Sequence, residues 1–125
     1  MSAIRILCID DDSRINELNQ VVLTRAGYDV EVALSPSDAL ARLGAGTFDL
    51  VITDLFSPGS SDAAFIAKLR SIAPNMPVIV VTGNHNPAPE VMKQVDALVV
   101  KAYSVNALTD CVREVLLRDK LRRIG

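Results

Sequence analysis

Five short strand-like runs alternate with helical patterns along this chain, and that alternation leaves very few folds open. Residues 4–9 are dominated by apolar side chains and stop at Asp10, Asp11 and Asp12. Residues 48–53 stop at Asp54, residues 78–81 at Thr82, and residues 98–100 at Lys101. Continuous apolar runs of this length are strands buried on both faces, as in a parallel sheet. Residues 28–33 are shorter, alternate, and end in Ala33 and Leu34, which suits an outer strand. Right-handed crossovers then yield a doubly wound α/β sandwich, with a five-stranded parallel sheet and helices on both faces.

Local signals set the helices between the strands. Residues 13–26 carry Ile15, Leu18, Val22 and Ala26 at helical spacing, with Gly27 behind them as a C-cap. Ser35 can cap a second helix, Pro36 fits its first position, Asp38 completes a capping-box pattern, and Gly44 and Gly46 end it. A third helix is predicted over 63–73, with Phe65, Ile66 and Leu69 on one side. The segment from Thr82 to Pro89 reads as a loop, and 90–95 leaves room for a short helix only. Ser104 can cap a last helix over 105 to about 118.

The chain has 125 residues, 50% hydrophobic and 22% charged, which is a globular composition for one domain. The core is expected over about 3–118, with 119–125 a charged C-terminal tail that ends the last helix in cations. A net charge of −2 predicts no direct nucleic-acid binding. Cys8 and Cys111 form no disulfide framework and read as buried thiols. No apolar stretch is long enough to span a membrane, and the N-terminus lacks a signal-peptide pattern, so a soluble cytoplasmic protein is expected.

In open parallel sheets ligands bind beyond the carboxyl ends of the strands. Parallel strands bring Asp10–Asp12, Asp54, Thr82 and Lys101 to one edge. Each alone is weak, since a strand-end aspartate is commonly a helix cap and a lone lysine a surface charge. Together they are specific, because four strands must place matching chemistry at one end. Converging carboxylates repel, and a divalent cation relieves that repulsion. Oxygen ligands at a solvent-facing edge suit Mg2+, with Mn2+ as a substitute. Carboxylate, metal, lysine and hydroxyl make a phosphoryl-transfer site.

Over essentially its whole length the sequence resembles the receiver domain of two-component response regulators. Asp10-Asp11 stands where the family has its acidic pair. Asp54-Leu55-Phe56-Ser57-Pro58-Gly59 stands at the phosphoacceptor stretch, Thr82-Gly83 at the hydroxyl position, and Lys101 at the lysine. The resemblance implies a CheY-like, flavodoxin-like strand order 2-1-3-4-5. It implies that Asp54 takes a phosphoryl group from a sensor histidine kinase or a histidine phosphotransfer protein. Mg2+ would be held by Asp11, Asp54 and the backbone carbonyl of Phe56, with Asp10 acting largely through water. Thr82 and Lys101 would bind the phosphoryl group and switch the domain. Such a domain is not an enzyme beyond its own phosphoryl transfer and dephosphorylation. Asp12 is expected to cap the first helix.

Four departures from the family pattern shape further expectations. Ala102 replaces the proline after the lysine, so a trans bond is expected there. Leu98 stands where the family carries its aromatic switch residue, and Tyr103 matches the aromatic after the lysine. Pro87 and Pro89 predict a short or irregular fourth helix. Ser57, Ser60 and Ser61 predict a polar loop after the phosphosite. Phe56, two positions past Asp54, is expected to shield the acyl phosphate from water. His85 is read as a loop residue without partners for a transition metal.

An output by docking on a downstream protein follows if 125 residues is the natural length. A missing output domain follows if the chain is a piece of a longer one. A monomer or weak dimer is expected. The alternative is a pseudo-receiver, an interaction module that works without phosphorylation. A flavin binder or unrelated α/β enzyme fits poorly, because strand one leads into carboxylates rather than a glycine-rich phosphate loop.

Overall fold

The computed structural model describes residues 3–54, 60–83, 89–100 and 105–124, with only the backbone described at 60–62, 90, 105 and 123. Five strands, β1 (Arg5–Ile9), β2 (Asp29–Ala33), β3 (Leu50–Asp54), β4 (Val78–Thr82) and β5 (Ala97–Val100), form one parallel sheet in the order β2-β1-β3-β4-β5. The helices are α1 (Ser13–Arg25), α2 (Pro36–Ala45), α3 (Ser60–Ile72), α4 (Pro89–Met92) and α5 (Val105–Ile124). The expected doubly wound architecture and strand order are what the chain adopts. Among the described residues no helix is long and apolar enough to cross a membrane.

Strand residues alternate between two cores, which is why the strands read as unbroken apolar runs. Ile6, Cys8, Leu50, Ile52, Ile79 and Val81 pack with Leu23 of α1 and Leu108, Val112 and Val115 of α5. Leu7, Ile9, Val51 and Val78 face the other way, onto Ala39 and Leu43 of α2 and Leu69 of α3. Ile66, Val80 and Val91 form a smaller cluster under α4, and Leu98 packs against it. Cys8 lies fully in the first core, whereas Cys111 is only half-buried.

Two helix ends follow their sequence signals closely. Ser35 caps α2 by accepting from the Asp38 amide at 3.1 Å, with Pro36 in the first turn. At the end of α1 the Tyr28 amide donates to the Leu23 carbonyl and the Gly27 amide to that of Thr24. This is the paired Schellman closure, and it needs the φ of +101° that Gly27 adopts.

Other signals were misleading. The buried face of α1 is Asn16, Asn19 and Leu23. Leu18, expected to face inward, is half exposed, and Ala26 is exposed. Helix α2 runs through Gly44 to Ala45 before Gly46 ends it. Helix α3 starts at Ser60, ahead of the expected 63. Helix α4 is as short as the prolines predicted. Helix α5 runs past Arg118 to Ile124, so the charged 119–125 segment is mostly a continued helix, in which Asp119 is buried.

Candidate functional site

Strand order places the topological switch point between β1 and β3, since the chain leaves β1 toward β2 on one side and reaches β3 on the other. Ile9 of β1 stands beside Thr53 of β3 in the register. The next residue on each strand, Asp10 and Asp54, therefore leaves the sheet side by side. Asp54 in turn lies opposite Val81, so Thr82 reaches one residue further along β4. Thr82 pairs with Val100, the residue before Lys101. Parallel pairing thus gathers at one edge the side chains that the sequence scatters.

Carboxylate oxygens of Asp10, Asp11 and Asp54 all lie within 4.8 Å of one another. The three differ in exposure. Asp10 is buried at 3% exposure, Asp54 is half-buried and Asp11 faces solvent. Asp10 is held from several directions. Its amide continues the sheet by donating to the Ala33 carbonyl at 3.1 Å. Its Oδ1 accepts from the Asp12 amide at 2.9 Å. Its carbonyl oxygen accepts from Nδ2 of Asn16 at 2.9 Å. Thr53, fully buried beneath Asp54, donates its hydroxyl to the Asp54 carbonyl at 2.8 Å.

Asp12 caps α1 as expected, accepting from the Arg14 amide at 2.9 Å. Hydrogen bonds from the Arg14 side chain and amide hold its carboxyl below the usual range. That occupation by the helix end separates Asp12 from the cluster, although it follows Asp10 and Asp11 directly. Thr82 is buried at 4% exposure. An added Cβ at Gly83 would meet no atom within 4 Å among the described residues. Leu98 is half-buried against Ile66, Val80 and Val91. Phe56, Ser57, His85, Pro87, Lys101, Ala102 and Tyr103 lie outside the described residues.

Sequence reasoning missed Asn16. A buried asparagine on a helix face looks like a solvent-facing residue, and only its approach to the end of β1 reveals its role. The helical spacing of Asn16, Asn19 and Leu23 was the one available signal.

An all-oxygen donor set at the carboxyl edge of a 2-1-3-4-5 parallel sheet defines a receiver-type signalling fold. Comparison with known proteins agrees. The response regulator receiver domain family matches residues 6–113, and the chain belongs to that family, the receiver domains of two-component systems. The C4-dicarboxylate transport transcriptional regulatory protein DctD of Rhizobium meliloti is 29% identical over 93% of this chain and 26% of its own length. The chain spans between 18% and 35% of the length of the curated relatives it matches. A CheY-like receiver domain protein from Methanospirillum hungatei superposes with a TM-score of 0.86 at 27% identity, over 97% of this chain and 99% of that one. The response regulator TrrA from Thermotoga maritima, in complex with Mg2+–BeF, superposes with a TM-score of 0.80 at 29% identity, over 90% and 98%.

Proposed function

We propose that this receiver domain accepts a phosphoryl group on Asp54 from a phosphohistidine of a sensor kinase or a histidine phosphotransfer protein. The carrying observation is the half-exposed Asp54 carboxylate within 4.8 Å of those of Asp10 and Asp11. Three carboxylates that close form a donor set of hard oxygens whose mutual repulsion a divalent cation offsets, and this fits Mg2+ or Mn2+. The relative TrrA, described with Mg2+–BeF, supports the same assignment. Asp11 and Asp54 would hold the ion directly, with the Phe56 carbonyl, while Asp10 would act through water. When bound, the ion supplies positive charge that lowers the barrier for an anionic nucleophile approaching an anionic phosphoryl group.

The remaining work falls to the chain. A carboxylate oxygen of Asp54 forms the new bond to phosphorus as the phosphorus–nitrogen bond of the donor histidine breaks. With the donor ring protonated on its other nitrogen before transfer, the products are an acyl phosphate and a neutral imidazole. Half-burial of Asp54 lets the donor reach it while limiting the water that would hydrolyse the product. The Lys101 ammonium neutralises the transferred charge, and the Thr82 hydroxyl, one residue past Asp54 along the sheet, donates to a phosphoryl oxygen. That donation pulls on the end of β4 and couples the new charge to a conformational change read by a downstream protein or output domain.

Intact mass after incubation with acetyl phosphate and Mg2+ tests this proposal. Addition of one phosphoryl group is expected, absent in Asp54→Asn and without metal. A phosphorylated histidine phosphotransfer protein serves as a second donor. No addition from either donor would overturn the proposal in favour of a pseudo-receiver that signals without phosphorylation.

A further inference from the structure

Thr53 is a polar residue in an apolar row. It pairs with Ile9 of β1 and Val80 of β4, and Val51 precedes it on the same face of the sheet. Those three side chains are at most 2% exposed, and Thr53 itself is fully buried. Valine has the same shape and the same preference for strands, and it needs no hydrogen-bond partner. A hydroxyl in such a place costs free energy unless it is bonded. This one donates from Oγ1 to the carbonyl oxygen of Asp54 at 2.8 Å.

The bond sits where the sheet stops holding Asp54 on one side. Pairing of β3 with β1 runs as far as Thr53, whereas pairing with β4 continues to Asp54. The Thr53 hydroxyl extends the hold by one residue. A fixed carbonyl restrains rotation about the Cα–C bond of Asp54, and the rotamers open to the carboxylate depend on that torsion. Asp10, at the neighbouring strand end, is treated alike. Its carbonyl oxygen accepts from Nδ2 of Asn16, a side chain 1% exposed, at 2.9 Å. At each of these strand ends, a buried and uncharged donor holds the carbonyl of a residue that contributes a carboxylate to the cluster.

We infer that Thr53 is a positioning residue for the acidic cluster, and that it presets Asp54 for a divalent cation. The inference rests on the reading of Asp10, Asp11 and Asp54 as a cation site. Their carboxylate oxygens lie within 4.8 Å of one another, and Mg2+ accepts little departure from octahedral geometry. A carboxylate free to turn must be ordered when the ion binds, and that ordering lowers affinity. A carboxylate already held carries less of this cost. The Thr53 hydroxyl is buried and acts through the backbone of Asp54, without adding charge to the cluster.

Thr53→Val and Thr53→Ser separate positioning from stability. Thr53→Val keeps the shape and deletes the bond. Thr53→Ser keeps the hydroxyl and deletes a buried methyl. Mg2+ affinity of the unphosphorylated chain is read by calorimetric titration, and stability by circular dichroism melts with chelator. Thr53→Val should bind Mg2+ about fivefold more weakly. It should melt within about 2 °C of the parent, since apolar burial offsets the lost bond. Thr53→Ser should bind within about twofold of the parent yet melt about 4 °C lower. A purely structural role does not produce this crossed pattern, because affinity would then follow stability. Unchanged Mg2+ affinity in Thr53→Val, or affinity that falls in step with melting temperature across both variants, would overturn the inference and leave the cation site standing. No saturable Mg2+ binding by the parent would overturn the cation site itself, and the inference with it.

Discussion

Nδ2 of Asn16 donates to the carbonyl oxygen of Asp10 at 2.9 Å and, with its second proton, to the carbonyl oxygen of Ala33 at the same distance. One side chain from α1 thus ties together the ends of β1 and β2, directly beneath the acidic cluster. Its Oδ1 is buried and takes no hydrogen bond from the described residues. Asn16→Leu leaves two buried carbonyls without this donor and should destabilise the domain by about 1–3 kcal/mol. Urea unfolding should show a lower midpoint at unchanged slope. A looser Asp10 should also weaken Mg2+ binding in a calorimetric titration.

The acidic cluster should make the metal-free domain less stable than it could be. Asp11→Asn removes one of three mutually repelling charges from an exposed position. Its melting temperature without divalent ions should rise by a few degrees, a change of about 1 kcal/mol. The stabilisation of the parent by added Mg2+ should shrink sharply in the variant. Paired melts with Mg2+ and with chelator check both signs.

Burial pushes the Cys8 thiol from 9.0 up to about 12, with nearby Asp10 adding to the shift. The folded state therefore holds its proton more tightly than the unfolded chain. Its contribution to stability is complete below about pH 9 and is lost as pH rises toward 12. Within that window stability should fall by about 1.4 kcal/mol per pH unit from this group alone. Cys8→Ala should flatten that part of the profile. At neutral pH a thiol reagent should reach half-buried Cys111 first and Cys8 only on global unfolding.

Arg70 of α3 fastens the far end of the sheet. Its guanidinium donates to the carbonyls of Gln94 and Met76 at 2.8 and 2.6 Å, and to the Asp96 carboxylate at 2.7 Å. That carboxylate also accepts from the Val78 amide at 2.8 Å. Arg70→Ala strands a partly buried carboxylate and two carbonyls and should cost about 2–4 kcal/mol. Asp96→Asn should cost less, and the double variant should be less damaging than the sum. Hydrogen exchange should speed up at the starts of β4 and β5 before it does at β1.

The sequence alone determined the class of fold and the members of the acidic site. Strands buried on both faces must be apolar throughout, so β1, β3 and β4 announce themselves, and the residue that ends each run is the one left at the edge. The caps at Ser35 and Asp12 and the turn at Gly27 are equally local, since each acts within a few residues along the chain. What tertiary structure decided are relationships between distant segments. Which face of α1 turns inward depends on carbonyls of Asp10 and Ala33 that an asparagine can satisfy and a leucine cannot, so Leu18 lost to Asn16. The clamp of Arg70 depends on carbonyls 6 and 24 residues away along the chain. Hydrophobic pattern is written residue by residue, but the partner of a buried polar group exists only once the chain has brought it there.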